Sequence, residues 1–281
     1  MAAIRKKINI IYTIMRKNIL LLFVFVTFIL NAQETLSKEE IKQKTDSILV
    51  EGNLLYQYEK AAWVSTDQAL ALKDIKKKFG GYLIYQSGDS IKAIILEKSQ
   101  DSCIYEMTYL KDFSIPCKEN LISRGLNDLE KKLQSIKKKL FKEVFTSKYQ
   151  ISCPEGYNLN MELIPYELGY KLYIIAGTSK SEVIPFGNDY IFFADKNGEI
   201  TSWRKFHSRL ISMMTKYNGE TVRSISHSHL RVEPFISATD ICTFKLYGSL
   251  YGLKQFEVYS PALSTSFTYD IVKNTIESGD K

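Results

Sequence analysis

The sequence predicts an α+β protein, with helices and a small β-hairpin region first and a mixed sheet flanked by helices after them. Two observations carry this. Apolar residues recur at helical spacing through Ile41, Ile48, Leu49, Leu55 and Tyr58, and again through Leu129, Leu133, Ile136, Leu140 and Val144. Runs rich in β-branched and aromatic residues, punctuated by turn residues, occupy most of 79–109 and 158–229.

The elements follow in order. From Met15, a basic pair (Arg16, Lys17), an apolar run from Ile19 to Leu30 and the small residue Ala32 have the order of an export signal, too short for an ordinary spanning helix. Cleavage before Gln33 is expected, with Met1 and Met15 both open as the start. Loss of residues 1–32 removes five basic residues and no acidic one, so the formal net charge of +7 falls to +2 and gives no support for nucleic-acid binding. Ser37 and Glu40 form a capping box that opens the first helix, within which Gly52 costs about 1 kcal/mol relative to Ala. Ser65 with Gln68 suggests a second helix start, ended by Phe79-Gly80-Gly81. A hairpin turning at Ser87–Ser90 and a third strand, CIYEMTYL, come next.

From Asn127 to Lys148 the chain returns to helix, its lysines read as a solvated face over a packed stripe. The turn-like stretch from Cys153 to Asn158 divides an N-terminal region, 33–150, from a C-terminal domain, 151–281. That domain opens with strands KLYIIAGT, EVIPFGNDYIFFAD and EITSWRKFH and leads into ETVRSISHSH. Four cysteines are too few for a disulfide scaffold, and Cys103 with Cys117 is the pair to test.

The chemistry concentrates in HSHLRVEPFISATD, from His227 to Asp240. Two histidines two apart in a strand project to the same side. A helix start carrying Ser237 and Asp240 can bring a carboxylate to them, giving three ligands and an open fourth position, the pattern of a catalytic zinc site. The same SxxD also reads as a helix capping box. His207, the third histidine, reads as a polar structural group. No GxSxG, P-loop, GxGxxG, CxxC or zinc-deaminase pattern is present.

The spacing HxHx7SxxD resembles the JAMM (MPN-plus) zinc metalloproteases. The resemblance implies that His227, His229 and Asp240 hold zinc and that Ser237 steadies the oxyanion of the scissile carbonyl. Leu230 stands where the family usually has Pro, and the family's ExCG strand, which carries the general-base glutamate, is missing. Glu182, 45 residues before His227, is the favoured replacement by spacing; Glu167, before the strand ending at Gly177, is the alternative. The function so implied is an exported, periplasmic or extracellular, zinc-dependent hydrolase of a peptide or isopeptide bond in a protein substrate, meeting the membrane only through its transient signal peptide. A JAMM-like binding or assembly module of the cell envelope, without a base, is the rival.

Overall fold

The capping box of Ser37 forms, Ser37 N and Oγ donating to Glu40 Oε2 (2.8 and 2.7 Å) while Glu40 N donates to Ser37 Oγ (3.2 Å). It opens α1 (Lys38–Ala71) in a computed structural model that describes residues 36–110, 113 and 115–280; the export segment expected at 1–32 lies outside them. The helix start expected at Ser65 does not form. Ser65 is buried inside α1 and its hydroxyl donates to the Ala62 carbonyl (3.2 Å), so its polar group is satisfied by the helix itself and gives no reason to end it. Gly52 also has a tertiary reason. A Cβ there would stand 2.6 Å from Ile241 Cβ, so the missing side chain permits the close approach of the helix carrying Asp240.

After α2 (Lys73–Lys78), an antiparallel sheet forms from β1 (Phe79–Ser87), β2 (Ser90–Glu97), β3 (Ser102–Tyr109) and β4 (Lys118–Asn120), with β5 (Arg124–Gly125) also paired to β3. The expected turn at Ser87–Ser90 closes the first hairpin. Next, α3 (Asp128–Val144) buries Leu133, Ile136, Leu140 and Val144, while Leu129 in its first turn stays half-exposed. That stripe packs against Leu83 and Leu96 of the first sheet and against Leu163, Leu172 and Phe192 of the second. The core therefore continues across the turn at Cys153–Asn158.

The second sheet, in the order β10-β9-β7-β6, uses β6 (Asn158–Tyr166), β7 (Gly169–Gly177), β9 (Tyr190–Ala194) and β10 (Ile200–Lys205). The run EVIPFGNDYIFFAD is two strands, not one. Gly187 and Asn188 take positive φ (+73° and +53°), which breaks it into β8 (Val183–Gly187) and β9. A Cβ on Gly187 would meet the Arg209 carbonyl at 2.3 Å, so glycine is required where β8 pairs with β11 (Leu210–Met214).

A small hairpin, β12 (Lys216–Tyr217) with β13 (Glu220–Thr221), precedes the last sheet. Here β14 (Ile225–Ser228) pairs in parallel with β15 (Gln255–Ser260), followed antiparallel by β16 (Thr265–Asp270) and β17 (Thr275–Asp280). A parallel pair needs a crossover, and α4 (Ala238–Tyr247) with the 3-10 turn Gly248–Tyr251 supplies it. Nine of the ten residues of α4 are buried, so both ends of the crossover are anchored. All four cysteines are free thiols; Cys103 is buried and Cys117 is exposed, its thiol donating to the Thr108 carbonyl (3.2 Å), so that pair is not joined.

Candidate metal centre

Strand alternation brings His227, in β14, and His229, just beyond it, to one side, as the HxH spacing requires. The His229 N–H donates to the Tyr259 carbonyl (2.9 Å), which prolongs the parallel ladder by one residue and fixes the second imidazole. Across from them, Ser237 caps α4. Asp240 Oδ2 accepts from Ser237 N (2.9 Å) and Oγ (2.7 Å), and Ser237 Oγ accepts from Asp240 N (3.1 Å). The capping box therefore forms on Oδ2, which also stands 3.0 Å from His229 Nε2. Asp240 Oδ1 is buried with no hydrogen-bond donor, and it faces His227 Nε2 at 3.2 Å and His207 Nε2 at 3.4 Å.

His207 corrects the sequence reading. It sits in the bend between β10 and β11, only 2 % exposed, and points its Nε2 at His229 Nε2 (2.9 Å) and His227 Nε2 (3.2 Å). Asp189, placed by the break between β8 and β9, accepts from its Nδ1 through both carboxylate oxygens (2.9 and 3.1 Å). Thr239 Oγ1 donates to the same Asp189, tying the His207 bend to the first turn of α4. The signal in the sequence was rarity: the chain has three histidines and all three meet here.

The protons can be placed. A carboxylate and a carbonyl only accept, so His207 Nδ1 against Asp189 and His229 Nδ1 against the Glu233 carbonyl (3.1 Å) each carry hydrogen. In the neutral rings both Nε2 atoms are then bare lone pairs, facing each other and Asp240. Only a proton or a metal cation between them removes that repulsion. Without a metal, burial lowers the pKa of His207, but Asp189 and Asp240 more than offset this and raise it to about 9. Burial would raise Asp240, yet the three imidazoles hold it well below the usual carboxylate range, and burial pushes His227 down.

The donor set fits an ion. Donors about 2.0–2.1 Å from a tetrahedral zinc stand about 3.3 Å apart, and the closest contacts here run from 2.9 to 3.4 Å, His207 and His227 reaching Asp240 Oδ1 and His229 reaching Oδ2. The four ligand atoms lie within 4.8 Å of one another, so His207, His227, His229 and Asp240 form a buried group able to hold a metal ion. The partners on His207 and His229 are the outer-shell acceptors that metal-binding imidazoles use to fix their tautomers.

The expected bases are not part of this group. Glu182, in the turn before β8, forms an ion pair with Lys216, and its backbone N–H donates to the Tyr251 hydroxyl (2.8 Å). Glu167 lies exposed in the tight turn between β6 and β7. The acidic residue nearest in the chain is one the sequence reading passed over. Glu233, between the HxH and SxxD halves, accepts from His229 through its carbonyl and pairs its carboxylate with Arg204 (3.5 Å). Comparison with protein-family models, with curated proteins and with solved structures finds no match for this chain.

Proposed function

We propose that this chain is a zinc-class metalloprotein whose ion joins three separate pieces of the fold. The pieces are the bend carrying His207, the strand end carrying His227 and His229, and the helix start carrying Asp240. A single observation carries the reading: His207 Nε2 stands 2.9–3.4 Å from His229, His227 and Asp240, which offers a fourth protein donor in place of the water of a three-ligand catalytic site. Four protein donors complete a tetrahedral shell, which is the mark of a structural site. Bound there, the ion would neutralise Asp240 and take the lone pairs of the three rings, so metal binding contributes directly to folding free energy.

On this reading the protein is a JAMM-like binding or assembly module of the envelope, in which Ser237 caps a helix instead of steadying an oxyanion. The JAMM likeness rests on the HxHx7SxxD spacing together with the strand, crossover helix and parallel strand that carry it. Export rests on the segment from Met15 to Ala32.

A hydrolase remains the second reading on one observation. The half-buried carboxylate of Glu233 feels both His229 and Asp189, and burial raises its pKa, as a general base requires. Glu182 is supported there by spacing alone.

One experiment separates the readings. The purified chain, its His207→Ala variant and its Glu233→Gln variant are measured for zinc content and for cleavage of a peptide and isopeptide panel. The structural reading expects one tightly held zinc, a much weaker zinc in His207→Ala, and no cleavage by any of them. Cleavage by the wild type that Glu233→Gln abolishes while keeping zinc would reverse the conclusion.

A further inference from the structure

A second buried polar cluster lies apart from the histidines, and none of the four metal donors lines it. A cavity of about 350 Å³ is bounded by α1, β6, the end of β7 and the last turn of α4, with Glu59, Trp63, Thr66, Tyr82, Asn160 and Tyr247 on its walls. Glu59 and Thr66 are seven residues apart on α1, two helical turns, and so share one face. Glu59 is 2 % exposed. Its Oε2 accepts from Asn160 Nδ2 (3.1 Å), whereas Oε1 is buried without a partner, as is Thr66 Oγ1.

Burial and the repulsion of Glu162, itself 1 % exposed with both oxygens unpartnered, push the Glu59 carboxyl well above the usual range. Lys137 offsets part of this charge, yet its Nζ donates to the Tyr82 carbonyl (3.5 Å) and lies over the Tyr82 ring (4.3 Å). Among the described residues no lysine or arginine lines the cavity, and Asp67 adds a second acid at its rim. The Trp63 and Tyr247 rings pack on each other at one wall, centroids 5.5 Å apart, and Lys60 Nζ lies 5.4 Å over the Trp63 ring, a cation on an aromatic face of the same wall.

We propose that this cavity binds a small organic cation, a primary ammonium or guanidinium head, seated against Glu59 and Thr66 beside the wall formed by Trp63 and Tyr247. Such heads carry several donors and no acceptor, which is what two orphaned oxygens call for. A neutral polyol is the competing occupant, since the same walls also carry Asn158, Thr178 and Ser179.

Calorimetric titration of the full chain with n-butylammonium and n-butylguanidinium, against n-butanol and glucose, tests this. The expected result is saturable one-to-one binding of a charged probe, none of the neutral ones, and at least a tenfold loss in Glu59→Gln. Trp63→Ala should also weaken binding with the circular dichroism unchanged, and Thr66→Val replaces Glu59→Gln if that variant does not fold. Equal binding of neutral probes, undiminished binding in the folded Glu59→Gln or Thr66→Val protein, or no saturable binding of either cation up to about 10 mM would each overturn the proposal.

Discussion

Two helices of this protein start with the same device and use it differently. At α3, Asn127 caps and Glu130 answers: Asn127 Oδ1 accepts from Glu130 N, and Glu130 Oε2 accepts from Asn127 N, both at 2.9 Å. The rest of that carboxylate is taken up by Arg124, which donates to both oxygens (2.7 and 2.8 Å), and by the Tyr85 hydroxyl (3.0 Å). At α4, Ser237 and Asp240 make the same reciprocal cap, but the remaining oxygen meets His227 and His207 with no donor, while His229 Nε2 stands 3.0 Å from the capping oxygen. A buried carboxylate needs a cation in either case. Arg124 is a cation fixed by the sequence, whereas three histidines are a cation only when they hold a proton or a metal, so the second cap leaves a group able to hold a metal ion.

The largest effect should come from converting the open cap into a neutral one. Asp240→Asn can keep the helix cap through its amide oxygen, but it turns an NH2 toward the imidazoles. Zinc per chain, expected near one in the wild type, should fall close to zero, and melting should no longer respond to added zinc. Where free zinc is about a thousandfold above Kd, the wild type gains about 4 kcal/mol from binding, or roughly 10 °C in Tm for a chain of this size. Removal of zinc by a chelator should lower the wild-type Tm by a similar amount and leave the variant unchanged.

The closed cap should respond in the opposite manner. Glu130→Gln deprives Arg124 of its buried partner and should cost about 2–3 kcal/mol in urea unfolding with zinc content unaltered. If zinc fell as well, the two caps would be energetically coupled and the contrast between them would fail.

A third contrast lies in pH. Folding raises His207 from 6.5 to about 9. In the zinc-free protein its stabilising contribution is therefore complete below pH 6.5 and lost as the pH rises through about 9. The Tm of chelated protein should drop by several degrees between pH 6.5 and 9.5. The zinc-loaded Tm should not, since the ion replaces the proton. Parallel curves for the two forms would show that the proton and the metal do not share one place. The smallest effect belongs to the exposed cap at the start of α1, where Ser37→Ala should cost about 0.5–1 kcal/mol of helix stability, read as lost far-ultraviolet ellipticity and faster amide exchange near Glu40 with no change in zinc.

Patterns confined to a few neighbouring residues were legible. The boxes at Ser37 and Ser237, the hairpin at Ser87–Ser90 and the shared side of His227 and His229 follow from backbone geometry and hydrogen-bond chemistry acting over two to four residues. Errors arose where a distant contact overrode a local preference. Ser65 looks like a cap, but α1 runs through it with the hydroxyl satisfied inside the helix. The long apolar run looks like one strand, but Gly187 and Asn188 break it where β8 meets the bend after β10.

His207 marks the limit most sharply. Nothing within several residues of it signals that it joins the other two histidines, because its orientation depends on Asp189, eighteen positions away, and its targets lie twenty and twenty-two positions onward. Local sequence could name two histidines and an aspartate as donors. Whether the fourth position holds water or protein depends on which loop the fold lays against β14, and that is a matter of long-range packing, which short-range spacing does not encode.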